Sequence, residues 1–215
     1  MVPFAEEDDG SGTIGVLLPN TDAKLVDDEG NEITVEGERG ELCVRGPQML
    51  MGYWKNETAT KESKEPDGFF HSGDVAIWRR DKLGRQRLWI VDRKKELIKV
   101  KGLQVAPAEL EAVLLESPDV ADAAVVGIRF EEDGEEWPRG YVVLQDDKKG
   151  QVTEEDIQKF VAGKVAQHKW LEGGVKFVDE VPKLPSGKIM RKVMKDTAKK
   201  DAEEMKTNGK VKARL

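Results

Sequence analysis

Between residues 13 and 47 the chain alternates short apolar runs with turn-forming clusters: TIGVLLPN, DAKLV, DDEGN, EITVEGERG and ELCVRG. Runs this short, bounded by Gly, Asn and Asp, predict an antiparallel β meander with tight hairpins. In Glu41-Leu42-Cys43-Val44-Arg45 polar residues bracket an apolar stretch, which makes Cys43 a small core residue. The pattern resumes over 69–91 with FFHSGDVAIW, a DKLGR turn and RLWIV, so residues 10–91 read as a small all-β unit. The acidic residues before it, MVPFAEEDDGSG, show no periodicity and read as an entry segment.

After Val91 the period changes. Pro107 stands in the first turn of a helix whose apolar stripe is Leu110, Val113 and Leu114, spaced i, i+3, i+4. ADAAVVGIRF and RGYVVLQ read as strands joined by the charged EEDGEEWP loop. Thr153 caps a second helix, with Asp156 in the capping-box position and an apolar face of Ile157, Phe160, Val161 and Val165. Gly173-Gly174 turns into a third strand, VKFVDEV, and IMRKVMKDTAKK forms a last polar helix. The predicted class is therefore α+β: a small antiparallel β subdomain, 1–91, then a compact α+β domain, 92–200, with a three-stranded sheet and helices over one face. The boundary falls at 92–95, and the lysine-rich stretch at 201–215 is expected to be a flexible tail.

Composition narrows the function. At 215 residues, with 38% apolar and 36% charged positions, the chain suits two small domains better than one large core. A net charge of −7 argues against a general nucleic-acid surface. No apolar run reaches the roughly 18–20 residues that span a bilayer. The single cysteine makes no internal disulfide, so a reducing, intracellular compartment is expected. Two distant histidines, His71 and His168, with no CxxC, argue against a zinc site and against a Ser-His-Asp triad. The final Ala213-Arg214-Leu215 has the small-basic-leucine chemistry of a peroxisomal tripeptide, so the expected location is peroxisomal or cytoplasmic.

Three stretches carry candidate chemistry. In Phe70-His71-Ser72-Gly73-Asp74, glycine permits a tight backbone and Asp74 offers a carboxylate able to accept from two vicinal hydroxyls; a turn-stabilising Asx residue is the plainer alternative. In VDRKKELIKVKGLQVAPAELE, Arg93, Lys94, Lys95, Lys99 and Lys101 crowd into an otherwise acidic protein. On a strand, Lys99 and Lys101 would share a face opposite Val100, with Gly102 leaving room for close approach; a solvated face is the alternative. In Pro182-Lys183-Leu184-Pro185-Ser186-Gly187-Lys188, prolines and glycine stiffen a loop that presents Lys188 just ahead of a helix. Ser-Gly-Lys is shared with a Walker A loop, but the upstream glycine and the following Ser or Thr are missing, which excludes a P-loop.

In this order and spacing the three stretches, with GELCVRGPQMLMGYW, resemble the adenylate-forming superfamily, most closely its acyl-CoA synthetase, 4-coumarate–CoA ligase and luciferase branch. The resemblance covers roughly residues 10–200 and implies a two-step reaction. ATP and a carboxylic acid give acyl-AMP and pyrophosphate, and the thiol of CoA then displaces AMP. It implies that Asp74 binds the ribose hydroxyls, Arg93 contacts ribose or phosphate, and Lys188 bridges carboxylate and α-phosphate. It further implies a hinge at Lys95, catalytic roles for Lys99 and Gln104, and a place for Gly102 beside the pantetheine channel. In such enzymes a large N-terminal domain supplies the phosphate loop, the acyl pocket and a magnesium-holding glutamate. Neither the Ser/Thr/Gly-rich loop nor a Thr-Glu motif precedes Gly12, so the expectation is a C-terminal portion, inactive alone and partnered by a missing N-terminal domain. A non-catalytic nucleotide-binding or interaction module, or a fragment of a peptide-synthetase adenylation domain, are the alternatives. Gly140 also departs from the alanine usual in the family.

Overall fold

The structure is a computed structural model that describes residues 12–131 and 134–207. The chain divides into two compact units, Met1–Lys95 and Glu96–Leu215.

In the first unit, β1 (Asp22–Val26), β2 (Gly40–Arg45), β3 (Phe70–Arg80) and β4 (Gln86–Arg93) form an antiparallel sheet in sequential order. Leu25, Leu42, Ala76 and Leu88 make its core. The sheet is narrower than the apolar runs predict. TIGVLLPN pairs only through a bridge from Gly15 to Leu88, and EITV only through Glu32 to Val26, because turn residues interrupt each run before a ladder can extend. The unit is also not all β. A short helix, α1 (Glu57–Glu62), is capped by Asn56, whose side chain accepts from the Ala59 amide. Cys43 is buried, as its polar brackets suggest.

Two irregularities lie beside the HSGD segment. The β2–β3 register shifts between Glu41 and Cys43, and the β3–β4 register shifts next to Val75. Bulges re-aim side chains and end pairing locally. Asp74 thus sits inside β3 and faces Arg93 across the ladder.

The second unit begins with a hairpin, β5 (Ile98–Val100) and β6 (Leu103–Val105). Its two-residue turn is Lys101-Gly102, with φ +49° and +80°. Positive φ at both positions is the turn that matches strand twist. Lys101 is therefore a turn residue and does not share a strand face with Lys99. A three-stranded sheet follows: β7 (Val120–Arg129) pairs antiparallel with β8 (Glu136–Leu144), and β9 (Val175–Phe177) adds parallel to β8.

Helices cover both faces of that sheet, which corrects the one-face expectation. On one side α2 (Pro107–Leu115) and α3 (Glu154–Ala162) bring Leu110, Leu114, Ile157 and Val161 against Ala123, Val125 and Val142. On the other, α4 (Arg191–Thr207) brings Met194, Ala198 and Ala202 against Ala124, Val126, Ile128 and Tyr141. The unbroken AAVV run in β7 is the sequence trace of this, since a strand buried on both faces has no reason to alternate. The capping box of Thr153 and Asp156 is formed as predicted.

Helix α4 also overturns the tail expectation for 201–207. Met194, Ala198, Asp201 and Ala202 form a buried stripe spaced i, i+4, i+7, i+8, so the helix docks despite its lysines. The remainder of the expected tail, 208–215, including the terminal tripeptide, lies outside the described residues, as do positions 1–11. Among the described residues no helix is long and apolar enough to cross a membrane.

Gly173 allows β8 and the approach to β9 to pass closely. A Cβ there would lie 2.5 Å from Ile128 Cγ2 and 2.9 and 3.0 Å from the carbonyl oxygens of Pro138 and Trp137. Two of these neighbours are backbone and do not swing aside. Gly173→Ala is therefore expected to destabilise the unit by about 1–3 kcal/mol. A urea midpoint equal to that of the unsubstituted protein would show that the backbone relaxes freely.

Candidate functional site

The first unit presents the Asp74–Arg93 pair. Gly73 takes φ +73°, and its carbonyl accepts from the Lys94 amide at 2.8 Å. The Asp74 amide donates to Ser72 Oγ at 3.1 Å. These contacts fix the backbone while leaving the carboxylate half-buried at the surface. Arg93 Nε stands 3.7 Å from Asp74 Oδ1, and its side chain is 67% exposed. That distance exceeds a hydrogen bond, and a pair this wet contributes roughly 0–1 kcal/mol. Arg93 therefore stands beside Asp74 without tying up its oxygens, which suits a carboxylate that has to accept from a ligand.

Behind the pair lies a denser polar cluster that the sequence did not reveal. His71 Nδ1 is 3.4 Å from Cys43 Sγ and 3.3 Å from Glu41 Oε2, while Nε2 is 3.1 Å from Glu65 Oε1. Lys24 bonds Glu65 at 2.6 Å, and Lys94 bonds Glu41 at 3.0 Å. Burial pushes the Cys43 thiol up to about 12, reinforced by the negative charge of Glu41 and Glu65. Burial also opposes ionisation of Glu41, but Lys94 and His71 outweigh it and hold that carboxyl below its ordinary range. Donor atoms of Cys43, Glu65 and His71 lie within 4.8 Å of one another. The acidic members already have ammonium partners and the thiol is held protonated, so the cluster reads as a self-neutralising support beneath the HSGD strand. Magnesium in particular takes oxygen ligands, and this mixed set does not fit it.

The basic run thus splits by position. Lys94 is spent on Glu41 and Asp28 within the first unit. Lys95 occupies the turn after β4 and is exposed. Lys99 and Gln104 are register partners across the β5–β6 hairpin. The Lys99 amide donates to Glu136 Oε2 at 3.0 Å and the Lys101 amide to Glu135 Oε2 at 2.8 Å, so the outer edge of β5 is closed by side chains. The Lys99 side chain itself is exposed. Gly102 at the tip has nothing within 4 Å of a notional Cβ, so within this chain its requirement is the positive φ and not space.

Lys188 ends a small hairpin. The Gly187 amide donates to the Leu184 carbonyl and the Leu184 amide to the Lys188 carbonyl, both at 2.8 Å, and Gly187 takes φ +81°. Lys183 bridges to Ile189 and pairs with Asp122 at the loop's entry. The turn leaves Lys188 exposed at the stem of a rigid loop, three residues before α4.

Two strands of comparison bear on this geometry. Residues 1–54 match the AMP-binding enzyme domain, and residues 109–188 match the AMP-binding enzyme C-terminal domain. The chain belongs to the AMP-binding enzyme family. An acyl-CoA synthetase of Alternaria alternata, ACTT5, is 44% identical over 207 residues, covering 95% of this chain and 35% of its own length. A probable 4-coumarate–CoA ligase 2 of Dictyostelium discoideum is 45% identical over 186 residues, covering 86% of this chain and 32% of its own. The structure of ATP-bound MatB from Rhodopseudomonas palustris superposes with a TM-score of 0.76 at 30% identity, over 89% of this chain and 36% of that one. The chain thus spans about a third of the length of these AMP-binding relatives.

Glycine at position 140 has a local packing reason. An added Cβ would meet Leu171 Cδ1 at 3.3 Å, and Val175 and Leu114 lie within 4 Å, so this core is already filled around glycine.

Proposed function

We propose that this chain supplies the nucleotide shelf and the mobile lid of an AMP-forming acid–thiol ligase that converts a carboxylic acid, ATP and CoA into an acyl-CoA. The observation that carries the reading is the Asp74–Arg93 pair, a carboxylate steered but not consumed, on bulged strands of a chain from the AMP-binding family. The other reactive parts, the phosphate loop, the acyl pocket and the magnesium ligands, are assigned to a large domain preceding this sequence. The 35% share of the ACTT5 length supports that assignment.

In this reading Asp74 accepts hydrogen bonds from two ribose hydroxyls of ATP, and Arg93 donates to ribose or phosphate oxygens. The acid's carboxylate oxygen attacks the α-phosphorus, and the bond to pyrophosphate breaks with its electron pair leaving on pyrophosphate. Lys188 bridges the attacking carboxylate and the α-phosphate, where negative charge accumulates. The lid then turns about Lys95, withdrawing Lys188 and bringing in the β5–β6 hairpin with Lys99 and Gln104. The CoA thiol gives its proton to solvent, its sulfur attacks the acyl carbon, and the bond from that carbon to the phosphate oxygen breaks, its electron pair leaving on AMP. Gly102 offers no side chain at the hairpin tip, which suits the thin pantetheine arm. A peroxisomal address is supported by Ala213-Arg214-Leu215, with the cytoplasm as the alternative.

The relatives named as an acyl-CoA synthetase and a 4-coumarate–CoA ligase favour the ligase over a peptide-synthetase fragment or a non-catalytic module. The decisive variant is Lys95→Pro in the whole protein. Proline fixes φ near −65° and stiffens the turn. Adenylation, read by ATP–pyrophosphate exchange, is expected to survive while thioester formation falls about a hundredfold, the scale of a lost positioning step. Equal loss of both half-reactions would remove the two-position lid.

A further inference from the structure

The catalytic loop needs an anchor, and its two stems are held unequally. At the entry, Lys183 pairs with Asp122, but both side chains are about a third exposed and such pairs hold weakly. At the exit stands Arg191, the first residue of α4, with its side chain only 16% exposed.

That guanidinium reaches four acceptor atoms. Nε donates to Glu96 Oε2 at 3.0 Å, the two terminal nitrogens fork onto the Glu111 carboxylate, and Nη1 also donates to the Val125 carbonyl at 3.1 Å. Glu111 in turn accepts from the Val125 amide at 2.8 Å. The backbone N–H and C=O of one β7 residue, Val125, are therefore both held by an ion pair that joins α2 to α4. Burial disfavours the charged form of Arg191, but the two carboxylates outweigh it and hold its pKa above the ordinary value. Arginine alone has the planar fork that meets these acceptors together.

The position of Glu96 gives the arrangement a further consequence. It is the first residue of the second unit, directly after Lys95. The same guanidinium that ends the Lys188 loop thus holds the side chain of the residue where the chain enters this unit.

We propose that Arg191 is a positioning residue that makes the Lys188 loop, strand β7 and the entry residue Glu96 move as one rigid body. A rotation at Lys95 is then delivered to Lys188 without slack. The proposal rests on the ligase reading for its catalytic consequence, but the anchoring stands on the contacts alone.

The test uses the whole protein with Arg191→Lys and, separately, Glu96→Gln, which keeps shape and removes one charge. Both half-reactions are measured, along with amide hydrogen exchange. With Arg191→Lys, adenylation is expected to fall about a hundredfold at unchanged KM for ATP, as befits a displaced catalytic group. Thioester formation from preformed acyl-adenylate should persist, and amides of 183–190 should exchange faster while those of β7 and β8 keep their protection. Glu96→Gln should loosen the same loop, although Glu96 does not touch it. Unchanged exchange across 183–190, or a loosened loop with undiminished adenylation, would overturn the proposal. If Arg191→Lys exposes β7 and β8 as well, Glu96→Gln decides alone. If the unsubstituted protein shows no adenylation, the ligase reading fails and the exchange result still decides the anchoring.

Discussion

Lys188→Ala in the whole protein is expected to slow acyl-adenylate formation by about a hundred- to a thousandfold, equivalent to about 3–4 kcal/mol of transition-state stabilisation. The size follows from where charge develops. Carboxylate and α-phosphate are both anionic, and their approach concentrates negative charge between them. An ammonium already held at that point costs no reorganisation and lowers the barrier more than bulk water does. In the proposed reading the preorganisation comes from the loop: Pro185 and the positive φ of Gly187 lie in a tight turn, and α4 begins within a few residues. Lys188→Arg is expected to recover only part of the loss, because a planar guanidinium does not replace a compact ammonium. Pyrophosphate exchange at saturating ATP and acid reads the effect directly.

Asp201→Ala is expected to destabilise the second unit by about 3–5 kcal/mol, the scale of breaking a buried ion pair and leaving one partner behind. Helix α4 buries one large side chain, Met194, and two alanines, which is thin apolar cover for 17 residues. Its middle is held instead by Asp201. That carboxylate accepts from Tyr141 Oη at 2.9 Å, Arg139 Nη2 at 3.3 Å and Lys176 Nζ at 2.7 Å. Arg139 and Tyr141 are buried, and Arg139 Nε already lacks a partner, so alanine leaves a buried cation with little but the Gly173 carbonyl. Lys176 is 40% exposed, and Lys176→Ala should cost under about 1 kcal/mol. Burial of Asp201 disfavours its charge, but Lys176, Tyr141 and Arg139 outweigh that and hold its pKa below the ordinary value. A depressed carboxylate contributes fully above the unfolded value of about 3.9 and loses its contribution as pH falls through the lower folded value. Urea unfolding at neutral pH and in acid separates the cases: the gap between Asp201→Ala and the unsubstituted protein should be wide at pH 7 and narrow in strong acid. A gap that stays constant would assign the loss to packing.

Much of this was legible in the sequence because the signals are local. Turn chemistry, the short apolar runs it bounds, and the Thr153–Asp156 box each fix an element within a few residues. Asp74, Arg93 and Lys188 were nameable because each sits in a short fixed motif. What escaped was non-local. Arg139, Lys176 and Asp201 lie on three elements, and nothing in the lysine-rich run around Asp201 marks it as an anchor once helix docking is left out. Cys43, Glu65 and His71 are likewise joined only by sheet register and the loop after α1. The stretch from 201 reads as tail by composition, although Met194, Ala198 and Ala202 carry an i, i+4, i+8 stripe that runs into it. Lys101 was placed on a strand because the strand period was carried one residue too far into a turn.

Lys188 is proposed to serve the first half-reaction and to be absent from the second. The deciding measurement is the rate of CoA thioester formation by the Lys188→Ala protein when acyl-adenylate is supplied ready-made. The expected rate is close to that of the unsubstituted protein, beside a crippled pyrophosphate exchange. A thioester rate reduced as deeply as the exchange would place Lys188 in both steps and contradict the rotating lid.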